Sequence, residues 1–563
     1  MDMLSVCLIF LYILGSSYLT GFLVLSGMGH IFGKEEGRVF RPDSYVMAGL
    51  VALTVYAQLF SLFHKVGLSA NLLLAGICIL SAIIFRRKLW GGLKRQMDCI
   101  PKGRKVFCLF LFLLFAYGTS RGIIHYDTGL YHAQSIRWIE EFGVVKGLGN
   151  LHCRLAYNSS AFSLSALYSF AFLGGQSYHC VAGFFALLLA KVCSEISMAW
   201  KRKGLILSDI ARLMGFYYLM IIFDEMISPA SDYFMVLTVF YIVIRYLDLV
   251  ECGEKDWFPY GLLALVCVYT MSLKLSAAFI IWLAVKPAAM LIKEKNGKGI
   301  LGFIGLGAII MLPYLIRNIL ISGWLVYPFT WLDFFPVDWK IPKGIADYDA
   351  REIQVWGRGI YDVARYGESI RIWMKEWFLS QTALDKLFIL SGVGAVPVSA
   401  IAWFAAWLKK MDKQRDWMLA AITVNLSFVF WLLSAPLIRY GCVYVWLAAP
   451  ITFGGLAMWL IGEGNPGKYI WLAVYGLLAA AGCYKLLAFG KEIALGFSTD
   501  YFVYQKEYEN FETENYELEG IIFHYPVEGD RVGYEAFPSS PGRAGIELRG
   551  TGLKDGFRHK EMK

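Results

Sequence analysis

Between Arg121 and Ser160 the chain reads RGIIHYDTGLYHAQSIRWIEEFGVVKGLGNLHCRLAYNSS, which sets His125, His132 and His152 beside Asp127, Tyr131, Arg137, Arg154 and Asn158. Ionisable and aromatic side chains this dense beside an apolar run suit a polar substrate better than a plain connection. Asp127 is the residue fitted to proton transfer. A carboxylate held at a membrane surface can take the proton of an acceptor hydroxyl, provided it is ionised and within hydrogen-bond reach. The plain alternative is that Asp127 caps a helix starting at Thr128. The histidines show neither an HExxH pattern nor a paired i, i+4 spacing. No cofactor is required, and a divalent metal, though admissible, is not indicated.

A second set of residues suits an anion. Arg154, Arg317 and Arg439 are each expected at an outer membrane face, the latter two in IRNILISGW and APLIRYG, with Asn318 directly after Arg317. Arginine's planar fork matches a phosphate bidentately, whereas its plain alternative is a side chain snorkelling at a helix end. Lys274, in YTMSLKLSAAF, is costly in hydrocarbon and adds to the same reading. Asp232, in SPASDYF, either caps the next helix or lines the same cavity.

The elements that must position these residues are membrane spans. The 563 residues are 58% hydrophobic and 17% charged, with a mean hydropathy of +0.53, well outside the composition of a soluble globule. Segments of roughly spanning length fall at 3–25, 44–65, 68–85, 106–120, 178–200, 205–223, 232–250, 257–273, 275–292, 299–321, 386–408, 417–435, 440–462 and 468–488, about fourteen in all. The run 159–173 is short for a span and reads as a helix lying in the interface or half inserted. In GLYHAQSIRWIEEFG an amphipathic helix is expected, with Leu130, Ile136, Ile139 and Phe142 toward lipid and Gln134, Arg137 and Glu141 toward water.

The net charge of +9 does not point to nucleic acid, because the basic residues cluster in short loops beside apolar runs. Those at 86–105, 201–203, 293–298 and 409–415 are expected in the cytoplasm. They agree with one another only if the 159–173 helix does not cross. The 121–158 segment, the 224–231 turn, Lys274, the 322–385 loop and the tail after about 490 then share the outer face. The tail's aromatic, Gly- and Pro-rich composition suggests short strands and turns in a small ordered cap. The chain thus divides into N-terminal helices (1–105), a central membrane module (106–321), an outer loop (322–385), C-terminal helices (386–489) and the tail (490–563).

This order of parts resembles the C-type (GT-C) integral-membrane glycosyltransferases that use polyprenyl-phosphate-linked sugars. It comprises a span, an outward loop opening with an Asp and followed by Tyr, an interfacial helix, and an Arg-Asn ending a later span before SGWLVYP. More narrowly, HYDTGLYHAQSIRWI, VVKGLGNLHCRLAYNSS, GDRVGYEAFPSSP and ELRGTGLKDGFR are similar to a family of bacterial membrane proteins associated with surface-polysaccharide genes. The resemblance implies an all-α, GT-C-like bundle in the cytoplasmic (inner) membrane with its site facing outward. It implies Asp127 as base, and Arg317, Arg439 and Lys274 as holders of the lipid phosphate. His125, Tyr131, His132, Arg137, His152, Arg154, Asn158, Asp232 and Asn318 complete the expected substrate-binding set. The implied partners are a polyprenyl-phosphate sugar donor, a glycan or lipid acceptor and membrane lipids. A polysaccharide polymerase or ligase, a lipid-linked-sugar flippase and a non-catalytic assembly subunit are the alternatives. This sequence departs from the resemblance in carrying no second carboxylate beside Asp127 and about three extra spans before it.

Overall fold

A computed structural model describes residues 2–34, 40–98, 100–202, 204–461, 468–503, 507–543 and 545–560. Lys203 of the expected cytoplasmic loop and residue 462, at the expected end of the 440–462 span, lie outside them. The chain is a mostly helical, multi-pass membrane protein. Among the described residues nine helices are long and apolar enough to cross a bilayer, or up to ten if Leu68–Ile84 and Arg86–Asp98, bent by 85°, count as one broken span. The fourteen segments expected from hydropathy therefore exceed the number that pass by length and composition. Val181–Cys193 has 13 residues and Leu207–Ile221 has 15. At 1.5 Å per residue these reach roughly 20 Å, short of a hydrocarbon layer about 30 Å thick.

Local signals explain where helices begin. Asp2 accepts from the Ser5 N–H at 2.7 Å ahead of Met3–Ile31, and Asn296 accepts from Gly299 N–H at 2.8 Å ahead of Gly297–Ser322. Gly323, at φ +79°, ends the latter helix in the left-handed conformation that favours glycine. Met3–Ile31 and Pro42–Ser61 approach so closely that a Cβ on Gly21 would lie 1.8 Å from the Tyr45 carbonyl oxygen, and one on Gly49 1.8 Å from that of Ser17. Small residues permit this contact where no water-driven force holds helices together.

The polar segments meet at one end of the bundle. Ile123 N–H donates to Asp224 O (2.7 Å) and His125 N–H to Ser228 Oγ (2.7 Å). Gly147 N–H donates to Leu320 O (2.8 Å), and Asn150 Nδ2 to Trp339 O (2.8 Å). The tail joins them through Phe557 N–H to Lys146 O (2.9 Å) and Arg549 Nε to Asp338 (2.9 Å). The opposite ends of the same helices are tied by ion pairs. There Arg245 contacts Asp43 (2.9 Å), Glu195 (2.8 Å) and Asp248 (2.7 Å), and Arg212 contacts Asp248 (2.6 Å) and Asp209 (3.0 Å).

The tail forms two short antiparallel pairs, β1 (Thr513–Leu518) with β2 (Ile521–Pro526), and β3 (Ile546–Leu548) with β4 (Phe557–His559). It packs on the segment expected to lie against lipid, which corrects that expectation. Leu130, Ile136 and Ile139 are buried, and Gln134 is only 2% exposed instead of facing water. Gln134 Nε2 donates to the carbonyls of Gly533 (2.9 Å) and Ala536 (2.8 Å), and Arg137 Nη1 to that of Tyr534 (2.6 Å). The Trp138 ring lies 4.7 Å from Phe537 and 5.8 Å from Phe557. Protein, not lipid, covers the apolar face of this helix. The 160–167 helix is likewise buried along its whole length. Ser159 Oγ donates to Leu273 O (2.8 Å), and Asn71 Nδ2 donates to Leu167 O (3.0 Å).

Candidate functional site

A five-residue π-helical turn, Thr128–His132, opens the segment that carries Asp127. Such turns are uncommon and frequent at functional sites. Asp127 makes no side-chain cap to this turn. Its carboxylate instead accepts from Arg439 Nη2 at 2.8 Å, and Arg439 Nε lies 3.3 Å from Asp232. Asp232, in the first turn of Ser231–Glu251, is paired in turn with the Lys274 ammonium, which sits 4.0 Å from the Tyr440 ring centroid. Lys274 occupies the break between helix Trp257–Leu273 and the 3₁₀ run Leu275–Ala284. The Asp127 N–H donates to His125 Nδ1 at 3.1 Å, and the Arg439 guanidinium lies against that ring. The sequence shows no second carboxylate beside Asp127, yet the fold delivers one, with Arg439 as the bridge.

Burial pushes the Asp127 carboxyl up, but Arg439, His132 and His125 outweigh it and hold it below the ordinary carboxylate range. Asp127 is therefore ionised at neutral pH. His132 is pushed down to about 3 by burial, and His125 is lowered by burial and by Arg439, so both imidazoles are neutral. The Tyr131 ring lies 4.3 Å from His132 and 5.7 Å from Tyr157, walling the site on the side of the buried 160–167 helix. With two carboxylates against one guanidinium and one ammonium, the cluster carries no surplus charge.

Arg317 stands apart. It is 2% exposed, donates from Nε to Asn158 Oδ1 at 3.0 Å and contacts Ser61 Oγ, and has no carboxylate partner among the described residues. Asn158 also donates to Asn318 Oδ1 and to Tyr314 O, each at 3.0 Å. Gln58, one turn before Ser61 and 1% exposed, has both amide atoms without a hydrogen-bond partner among the described residues. Gln58 was absent from the expected set. A lone amide in the apolar run VYAQLFS is the signal that could have found it.

The remaining residues go elsewhere. Arg154 pairs with Glu352 (3.4 Å) and lies over the Trp356 ring, and Arg137 is spent on tail carbonyls. His152 lines a cavity of about 450 Å³ that none of Asp127, Asp232, Lys274 and Arg439 borders. Another polar group was missed. Glu140 accepts from Ser177 Oγ and Tyr534 OH, each at 2.7 Å, and Ser177 lies 2.9 Å from His179 Nε2, whose Nδ1 meets Tyr508 OH at 2.5 Å. Its members come from 140, 177–179 and the tail, a separation that no local spacing reveals. Among the described residues no three His, Cys, Asp or Glu side chains are grouped to hold a metal ion.

Fold and site thus define a multi-pass helical membrane protein with a charge-paired cluster at one end of its bundle. The chain matches a domain of unknown function, DUF8201, over residues 3–446 and belongs to that family. The residues of the Asp127–Arg439 cluster and of the Arg317 group fall within the matched range, and the tail, with Tyr508 and Tyr534, lies beyond it. No curated protein and no solved structure matches the chain.

Proposed function

We propose that the protein is a glycosyltransferase of GT-C-like build, moving a sugar from a polyprenyl-phosphate carrier to a cell-surface glycan or glycolipid on the outer face of the cytoplasmic membrane. The observation that carries this reading is Arg317. Isolating a charge from water costs several kcal/mol unless a counter-ion or hydrogen bonds make up the loss. Here the partners are neutral amides and a hydroxyl, so the guanidinium retains a full charge for an incoming phosphate. Arg439 and Lys274, by contrast, are already neutralised by Asp127 and Asp232.

In the proposed reaction the acceptor oxygen attacks the anomeric carbon as the bond from that carbon to the phosphate oxygen breaks. The hydroxyl proton passes to Asp127, and the polyprenyl phosphate leaves against Arg317. A single displacement inverts the anomeric centre. Holding donor and acceptor together supplies much of the rate, and the fixed cation stabilises the leaving group.

A fourteen-segment, GT-C-like reading draws support from the alternation of connections between the bundle's two ends. Helices Leu68–Ile84, Val181–Cys193, Leu207–Ile221 and Trp257–Leu273 fit between the nine long ones in that alternation, and Lys468–Leu495 follows the last of them. Outward placement of the site draws support from the basic stretches at 86–88, 201–202 and 409–410, which adjoin the opposite ends of the helices. A transport reading draws on Lys274, an ion-paired residue at a helix break.

The test uses purified protein and a polyprenyl-phosphate sugar, with release of the lipid phosphate as readout. Arg317→Gln, which retains hydrogen-bonding capacity without the charge, should raise the donor KM at least tenfold, about 1.4 kcal/mol. Wild-type protein inert to every such donor, but moving labelled lipid across vesicles, would replace the transferase with the carrier.

A further inference from the structure

Helix Arg86–Asp98 leaves the apolar helix Leu68–Ile84 at a bend of 85°, and after a short link the spanning-length helix Lys102–Ser120 begins. Both of its ends are therefore held at the membrane boundary. A bend near a right angle lays the helix across the direction of the spans, along the surface. Gln96 fastens it to the bundle, donating from Nε2 to Phe40 O (3.1 Å) and accepting at Oε1 from Tyr18 OH (3.2 Å). Phe40 lies just ahead of helix Pro42–Ser61, whose Asp43 pairs with Arg245. The helix thus sits at the ion-paired end of the bundle, opposite the Asp127 cluster.

Its sequence is two-faced, and no protein covers it. At about 3.6 residues per turn Leu89, Trp90, Leu93 and Met97 share one face, while Arg87, Lys88, Lys94 and Arg95 take the other. None of its residues is buried, and Trp90 is 71% exposed. Residues 86–105 carry eight Lys and Arg against one acidic residue, Asp98. None of the helix's Lys and Arg side chains makes an ion pair among the described residues, and Arg95 Nε donates only to Gly91 O of its own helix (3.1 Å). At the same end Arg212 and Arg245 are matched by carboxylates, so lack of a partner is not general there.

We propose that helix Arg86–Asp98 is an interfacial element that binds anionic lipid in the leaflet opposite the Asp127 site. Its apolar face enters the boundary of headgroups and acyl chains, and its cations reach the lipid phosphates. Clustered Lys and Arg on an amphipathic helix beside a span suit that partner in charge. An acidic protein would satisfy the cations alone, whereas a helix pinned at the boundary by two apolar neighbours already lies against the bilayer. The proposal does not rest on the transferase reading.

The test follows amide hydrogen exchange in the full-length protein by mass spectrometry. Nanodiscs of phosphatidylcholine alone are compared with nanodiscs of phosphatidylcholine and phosphatidylglycerol. The anionic lipid should slow exchange over 86–98 by at least about tenfold, since each cation near such a surface adds to the attraction. Salt at about 1 M should remove the difference, because screening then acts over about 3 Å. The joint variant Arg87→Gln, Lys88→Gln, Lys94→Gln and Arg95→Gln should remove it too, with exchange over Pro42–Ser61 unchanged. Should that variant fail to insert, the salt comparison in the wild-type protein decides. Equal exchange in the two lipid compositions, or a slowing that salt or the joint variant leaves intact, overturns the proposal. The cations would then be a topogenic signal or a docking face for a protein.

Discussion

Arg439 Nη2 donates to Asp127 Oδ2 at 2.8 Å, joining residues 312 positions apart in the chain. The same guanidinium reaches Asp232, so one cation holds two carboxylates in place. Asp127→Asn retains the shape of the side chain but removes the charge and the basicity. Turnover of a polyprenyl-phosphate sugar should fall by about two or more orders of magnitude, the loss expected of a general base. Near-normal turnover would exclude Asp127 from that role.

Coupling between the two residues is separately measurable. Asp127→Asn and Arg439→Gln, alone and combined, should show a non-additive stability effect of about 0.5–3 kcal/mol in denaturation, as expected for groups in direct contact. Strict additivity would mean that the contact contributes nothing to stability.

Lys274 and Asp232 form the second ion pair of the cluster, with Asp232 its buried member. Lys274→Met alone strands Asp232 with a shared partner and should destabilise by about 3–5 kcal/mol. Adding Asp232→Leu should recover part of that loss, because no unpaired buried charge then remains. A double variant worse than the single one would refute the pairing.

Acid should loosen the assembly at the tail. His132, His152 and His179 are each pushed down to about 3, chiefly by burial, against an ordinary value near 6.5. Between those limits the unfolded chain binds protons that the folded protein does not, so stability falls as pH drops from about 6.5 toward 3. Glu140, raised by burial, acts in the opposite sense just above its ordinary value. His179→Gln should flatten part of the acid slope in a melting-temperature series; an unchanged slope would remove His179 from this account.

Truncation after Phe497 would uncover Trp138, Glu140 and the Tyr508 contact of His179 together. The shortened protein should melt lower and aggregate in detergent, beyond any loss of activity. A monodisperse truncated protein with wild-type melting would show the tail to be dispensable for the fold.

Read alone, the sequence determined that the chain is helical and lives in a membrane, because long apolar runs have no other stable state there. It also singled out Asp127, Asp232, Lys274 and Arg439, whose charges are expensive beside hydrocarbon and so conspicuous, with His125 beside them. Which of these touch was decided only by tertiary structure. Arg317 and Arg439 look alike in sequence, each at the end of an apolar run, yet packing gives Arg439 two carboxylates and leaves Arg317 among neutral groups. The periodicity of the Asp127 segment named its apolar face but not its cover, since lipid and a protein tail both accept Ile136 and Ile139. Only the folded chain shows Gln134 capturing the tail's carbonyls. A residue's pattern records the polarity it needs around it, and many different partners can supply that polarity.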